Sequence, residues 1–152
     1  MQKVFFFLLT ITVFAACADN DDNDRRNSDE AITDVQNTAA NGQWRITYFF
    51  DTDKEETDNF TGYIFEFNNG DILTTTNGSN NYSGRWSVTH DGSHDDNSKF
   101  ADIDFNIEFT SPDDFEELSE DWEIISLSDS KIELRHVSGG NGGTDLLTFE
   151  KI

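Results

Sequence analysis

The chain has one cysteine, one proline and one methionine in 152 residues. A lone cysteine excludes an intrachain disulfide, so the fold rests on packing alone. A lone proline excludes proline-rich linkers and leaves most of the chain free to form strands. Basic residues are scarce as well: 10 Lys and Arg stand against 31 Asp and Glu, a formal net charge of −21. Such a chain repels phosphate backbones, which argues against nucleic acid as a partner, and it is repelled by anionic lipid headgroups. No stretch reaches the roughly 20 apolar residues of a membrane-spanning helix. Catalytic signatures are missing too. There is no Gly-x-Ser-x-Gly elbow, and the glycine-rich run Gly139–Gly143 precedes a strand pattern rather than a helix, so it cannot cradle phosphate. The chain is therefore read as a non-enzyme with no cofactor.

What is present begins at the N-terminus. Gln2-Lys3 is followed by an apolar run of 12 residues, Val4 to Ala15, then by the small residue Ala16 and the single cysteine, Cys17. This is the arrangement of a secretory signal. Phe14-Ala15-Ala16-Cys17 resembles the lipobox of bacterial lipoproteins, with Phe in place of the usual Leu. The resemblance implies cleavage after residue 16 and lipid on the Cys17 thiol. Each buried CH₂ of such a lipid contributes about 0.8 kcal/mol, so two or three acyl chains hold a protein at a bilayer. Removing residues 1–16 takes Lys3 away and leaves 9 basic against 31 acidic residues, a net charge of −22. The acidic tract Ala18 to Asp24 resembles a surface-export signal of lipoproteins in one group of Gram-negative bacteria. The expected location is the outer membrane, facing either the outer surface or the periplasm.

Residues 17–40 are polar and carry no aromatic residue, which predicts an acidic disordered tether. From residue 41 to residue 152 the texture changes to period-two alternation. Trp44, Ile46, Tyr48 and Phe50 alternate with Arg45 and Thr47; Ile103, Phe105, Ile107 and Phe109 alternate with Asp102, Asp104, Asn106 and Glu108. One apolar and one wet face is the requirement of a half-buried antiparallel strand. Eight such strands are predicted, joined by turn signals such as Asn69-Gly70, Asn77-Gly78 and Asp91-Gly92. Ser111 to Leu118 is predicted to form a short helical segment, with Ser111 capping and with Phe115 and Leu118 facing inward. The expected fold is all-β: an eight-stranded antiparallel up-and-down barrel, with a two-sheet β-sandwich as the alternative.

Gly42-Gln43-Trp44 opens the first strand. Together with Gly62-Tyr63, Gly84-Arg85-Trp86 and the final Leu147-Thr148-Phe149, it resembles the lipocalin-like domains of small bacterial surface lipoproteins. The resemblance covers about residues 42–152. It implies that Trp44 closes the barrel floor under a late-strand arginine, for which Arg135 is the candidate. It also implies an interior lined by Trp44, Tyr48, Phe65, Trp86, Phe105 and Trp122, where a small hydrophobic ligand would bind.

Two functions from different classes follow. One is a tethered binding module for a small apolar or amphipathic molecule. The other is a filled barrel whose outer face meets an envelope protein or a glycan. Interior volume separates them, because about 20 inward-pointing bulky residues are enough to fill a barrel of eight strands. For metals, His90 and His94 within the acidic stretch His90–Asp96 are weak candidates, and a surface loop is the favoured reading. The acidic stretch Asp51–Asp58 lacks the pattern of a calcium loop. His136 lies on the apolar face of Ile132 and Leu134 and is read as a satisfied core-edge histidine.

Overall fold

The structure is a computed structural model, and it describes residues 21–90, 99–101, 103–140 and 142–152, with side chains from Ser28 onward. Residues 1–20 therefore lie outside it, including the signal segment, Cys17 and the first part of the acidic tract. So do the Asp91-Gly92 turn, His94 and Asp102.

A helix, α1, runs from Asp21 to Ala40. Among the described residues nine strands follow: β1 Trp44–Asp51, β2 Lys54–Glu55, β3 Ile64–Asn68, β4 Ile72–Thr76, β5 Asn81–His90, β6 Ile103–Glu108, β7 Asp121–Ser128, β8 Lys131–Val137 and β9 Thr144–Lys151. A 3₁₀ turn at Thr57–Phe60 precedes β3, and a one-turn helix, α2, occupies Asp113–Glu116 between β6 and β7. All pairings are antiparallel. Each strand from β3 to β9 pairs with its neighbour in sequence, and β1 pairs with both β3 and β9. The sheet thus closes into an eight-stranded up-and-down barrel, and the sandwich alternative falls away. The short β2 is an extension that pairs only with the end of β1.

Alternation puts one set of side chains inside. Trp44, Phe65, Phe105 and Trp122 are fully buried, and Trp86 nearly so, as the strand pattern requires. Tyr48 departs from expectation. A register shift between Ile46 and Tyr48 in the β1–β9 ladder inserts one residue, and inward orientation passes from Ile46 to Phe49. Phe49 faces the buried Leu147, whereas Tyr48 faces the half-buried Thr148 and points outward with it. A second shift in β7 leaves Ile125 about half exposed and returns Leu127 to the interior, opposite Ile132.

Rings fill the barrel along its length. Phe60 meets Phe49 and Phe115 at centroid distances of 5.5 and 5.2 Å, and Phe65 meets Phe149 at 5.5 Å. Phe67 then joins Phe149, Phe105 and Trp86 at 5.4, 5.3 and 5.2 Å. Most of these contacts are edge-to-face, the arrangement that the ring quadrupole favours.

Both ends are covered. At the end where β3 and β5 begin, α2 inserts Phe115 among Phe60, Tyr63, Phe65, Tyr82 and Phe109, and Leu118 is buried beside it. Ser111 does not cap this helix; Pro112 holds the cap position without a side-chain bond. At the opposite end α1 lies where the tether was expected. Ala31, Val35 and Ala39, spaced four apart, form one buried stripe on a mostly polar helix, and the half-buried Ile32 packs against the core beside it. The two alanines let the helix approach closely, and the Trp44 indole N–H donates to the Ala39 carbonyl at 2.8 Å. His90 and Lys99 pair with Asp29 and Asp34 of the helix at 3.0 and 2.6 Å. These ion pairs are exposed and contribute little, so the apolar stripe is what holds the helix.

A chain beginning at Asn41 should therefore be less stable than one that retains α1. It loses the floor of the core and strands the Trp44 N–H. The thermal midpoint should fall by more than about 5 °C, the shift produced by about 1 kcal/mol in a domain of this size. Equal midpoints would contradict the docked helix.

Candidate functional site

Among the described residues the inward-facing side chains pack against one another through the barrel. Two surface clefts of about 230 and 240 Å³ lie beside Trp86, one lined by Arg85, Asn106 and Glu108 and the other by Gln36, Asn37 and Asn69. Both are smaller than the roughly 300 Å³ at which small-molecule pockets begin. Of the six residues expected to line a binding cavity, Trp44, Phe65, Trp86, Phe105 and Trp122 point inward and pack against the core, and Tyr48 does not point inward.

The floor is built around Trp44. Arg135 does not cover it; Arg135 lies on the outer face, where it pairs with Glu123. The cation over the indole is Lys151, at 5.7 Å from the ring centroid. Gly42, at φ +150°, makes this possible. A Cβ there would stand 2.3 Å from the Lys151 Cε, so the lysine stem crosses where a side chain would otherwise be.

The rim at the α2 end gathers titratable groups. Three consecutive strands each carry an inward series that ends at the rim on a polar residue. Glu120 precedes Trp122 and Ile124 by period two, His136 follows Ile132 and Leu134, and Asp145 precedes Leu147 and Phe149. His136 and Asp145 are direct cross-strand partners. The His136 Nδ1 stands 3.3 Å from Glu120 Oε2 and 3.4 Å from Asp145 Oδ2. That nitrogen is shielded from solvent, yet it is in hydrogen-bonding geometry with neither oxygen. His136 is thus at the core edge as expected, but it is not satisfied. Asp145 is only 5 % exposed. Its other oxygen, Oδ1, accepts the Thr52 N–H at 2.7 Å and the Thr52 hydroxyl at 3.3 Å. Thr52 holds a positive φ of 52°, and Gly143 leaves the room it occupies, since a Cβ there would lie 2.7 Å from Thr52 Cα. Burial raises the Glu120 carboxyl above its usual value, with His136 opposing and Asp145 reinforcing the shift.

A second group lies on the same rim. Asp51, Glu56 and Glu117 bring carboxylate oxygens within 4.8 Å of one another. Lys54 bonds Glu56, and this bond, followed by one from Glu117, lowers the Glu56 carboxyl. Burial, then the hydrogen bond to Glu56 and the neighbouring charges of Glu56, Asp51 and Asp114, pushes Glu117 up to about 7. Two carboxylates in contact cannot both ionise freely, so they share one proton. Of the candidates read from sequence, His90 is engaged by Asp29 of α1, and the Asp51–Asp58 stretch is folded around the Lys54–Glu56 pair rather than around open carboxylates.

Sequence reasoning missed the Glu120, His136 and Asp145 set. A signal was present: a titratable residue at the last inward place of three neighbouring strands. The residues are far apart in the chain, and only the register of β7, β8 and β9 brings them together.

Comparison with protein-family models, with curated proteins and with solved structures returned no match.

Glu117 gives the fold a pH dependence of defined sign. With its folded value near 7 and its usual value at 4.5, the folded chain keeps a proton that the unfolded chain has released. Stability from this group is present below about pH 4.5 and falls as pH rises towards 7. Glu117→Gln removes the effect. The thermal midpoint of the variant minus that of the parent should rise across pH 4.5 to 7 and level off above it. A difference that stays flat across that range would show that the proton is not shared. The size is modest, because Glu117 keeps more than a third of its surface in water.

Proposed function

We propose that this chain is a lipid-anchored lipoprotein of the bacterial outer membrane whose lipocalin-like barrel is a non-enzymatic interaction module. The observation that carries the reading is the filled interior. The side chains that a ligand would have to meet already meet one another, from Phe60 and Phe115 at one end to Trp86 and Phe105. Among the described residues, α1 and α2 pack over the two ends. What remains for recognition is the outer face and the loops, which bear most of the acidic side chains. An envelope protein or a glycan carrying cationic groups or bound cations matches that surface; nucleic acid and anionic lipid heads do not. Capture of a small apolar molecule, the other function open from sequence, finds no support in a packed barrel.

The anchor is argued from the Val4–Ala15 run and Cys17. No described helix is long and apolar enough to cross a membrane, which leaves lipid as the means of attachment in this reading.

Two measurements test the proposal. Cys17→Ser should move the protein from the detergent phase to the aqueous phase in detergent partitioning and leave its thermal midpoint unchanged. A Cys17→Ser chain that stays with membranes would refute lipid anchoring. For the filled barrel, a fluorescent fatty-acid analogue titrated onto the folded protein should show no saturable binding. Saturable binding at one equivalent, weakened by Phe105→Ala, would restore the ligand-carrier reading.

A further inference from the structure

The rim set of Glu120, His136 and Asp145 has the geometry of a metal site rather than of an ion pair. A protonated imidazole bonded to a carboxylate sits about 2.7–2.9 Å from it. Here the nitrogen stands 3.3 and 3.4 Å from its two neighbours and is aligned for a hydrogen bond with neither. Those separations match a different arrangement. Ligands held at about 2.0–2.1 Å from a tetrahedral ion lie about 3.3 Å from one another. All three donor atoms fall within 4.8 Å of each other and so can share one centre.

The chemistry agrees with the spacing. One imidazole nitrogen and two carboxylate oxygens suit a first-row divalent ion, and the imidazole favours it over calcium or magnesium. Two carboxylates beside a neutral imidazole balance the charge of such an ion. The Asp145 carboxylate is buried, and its second oxygen is fixed by the Thr52 N–H and hydroxyl, which is how outer partners orient a metal-binding carboxylate. The neighbouring Asp51, Glu56 and Glu117 add negative potential that draws cations to the rim.

We infer that Glu120, His136 and Asp145 form a binding site for a divalent transition ion such as Zn²⁺, with three protein ligands and one position open to water or to a donor from a partner. The site is independent of what the outer face of the barrel binds.

The probe is Zn²⁺ alone, added to the full chain after chelator treatment and followed by equilibrium dialysis in excess Mg²⁺. One tight equivalent is expected. Glu120→Gln should weaken it at least about 10-fold, the lower end of what lost metal-orienting groups cost. Glu120 is half exposed, so this variant should fold. The double variant His90→Gln/His94→Gln should bind as the parent does. On the parent itself, imidazole ¹⁵N spectra should show the His136 Nδ1 resonance moving and saturating at one equivalent. Four results would overturn the assignment: no tight Zn²⁺; equal binding in the parent and Glu120→Gln; loss only in the His90/His94 variant; or a His136 ring that keeps both protons throughout the titration. Full competition by Mg²⁺ would also overturn it, since it would mark general attraction to an acidic surface.

Discussion

Closure of the sheet by pairing β1 with β9 is the constraint on which the rest depends. An open sheet of this length would leave two edges bare and its apolar face half covered. The ring removes the edges and fixes the width of the interior. That width then dictates the side chains. It is taken up by Trp44, Trp122 and the phenylalanines, and it demands a cover at each end. The helices α1 and α2 are those covers. The inserted residue in β1 follows from the same demand, since it turns Phe49 rather than Tyr48 towards Leu147 as the strand bends around the barrel.

The barrel wall was legible because its physics is local. Period two in Ile103–Phe109 or Lys131–Val137 requires only that alternate residues differ, and asparagine-glycine pairs mark where the chain reverses. Phe115 and Leu118 were legible for a similar reason, as an apolar pair three apart in a short acidic stretch. The helix α1 was not legible. Its buried stripe consists of Ala31, Val35 and Ala39, with Ile32 as the one large apolar residue beside it, too little to stand out against the surrounding Asp, Asn and Thr. The stripe gains its value only from the barrel floor it covers. Tyr48 failed for a non-local reason as well, because a single inserted residue reverses every later side chain without a trace in composition.

The rim groups show the same division. Each of Glu120, His136 and Asp145 continues the alternation beside or within its own strand, but only His136 was placed on its face by sequence. Their meeting is a matter of register among β7, β8 and β9, set by the turn at Ser128–Ser130 and by the extra residue at Ile125. A similar argument applies to the cation over Trp44. Arg135 and Lys151 are both basic residues late in the chain, but only Lys151 lies opposite Trp44 in the ladder, and only the bare Cα of Gly42 lets it cross.

Joining the first strand to the last also bears on how the molecule is made. Trp44 pairs with Lys151, so the contacts that seal the wall link residues more than a hundred positions apart. Contacts of such long range are formed late and slowly, after the entropy of closing a large loop has been met. Until β9 is available, β1 lacks its second neighbour and the aromatic interior stays open to water. A chain that gains its stability only at the final strand remains unfolded while its earlier parts emerge.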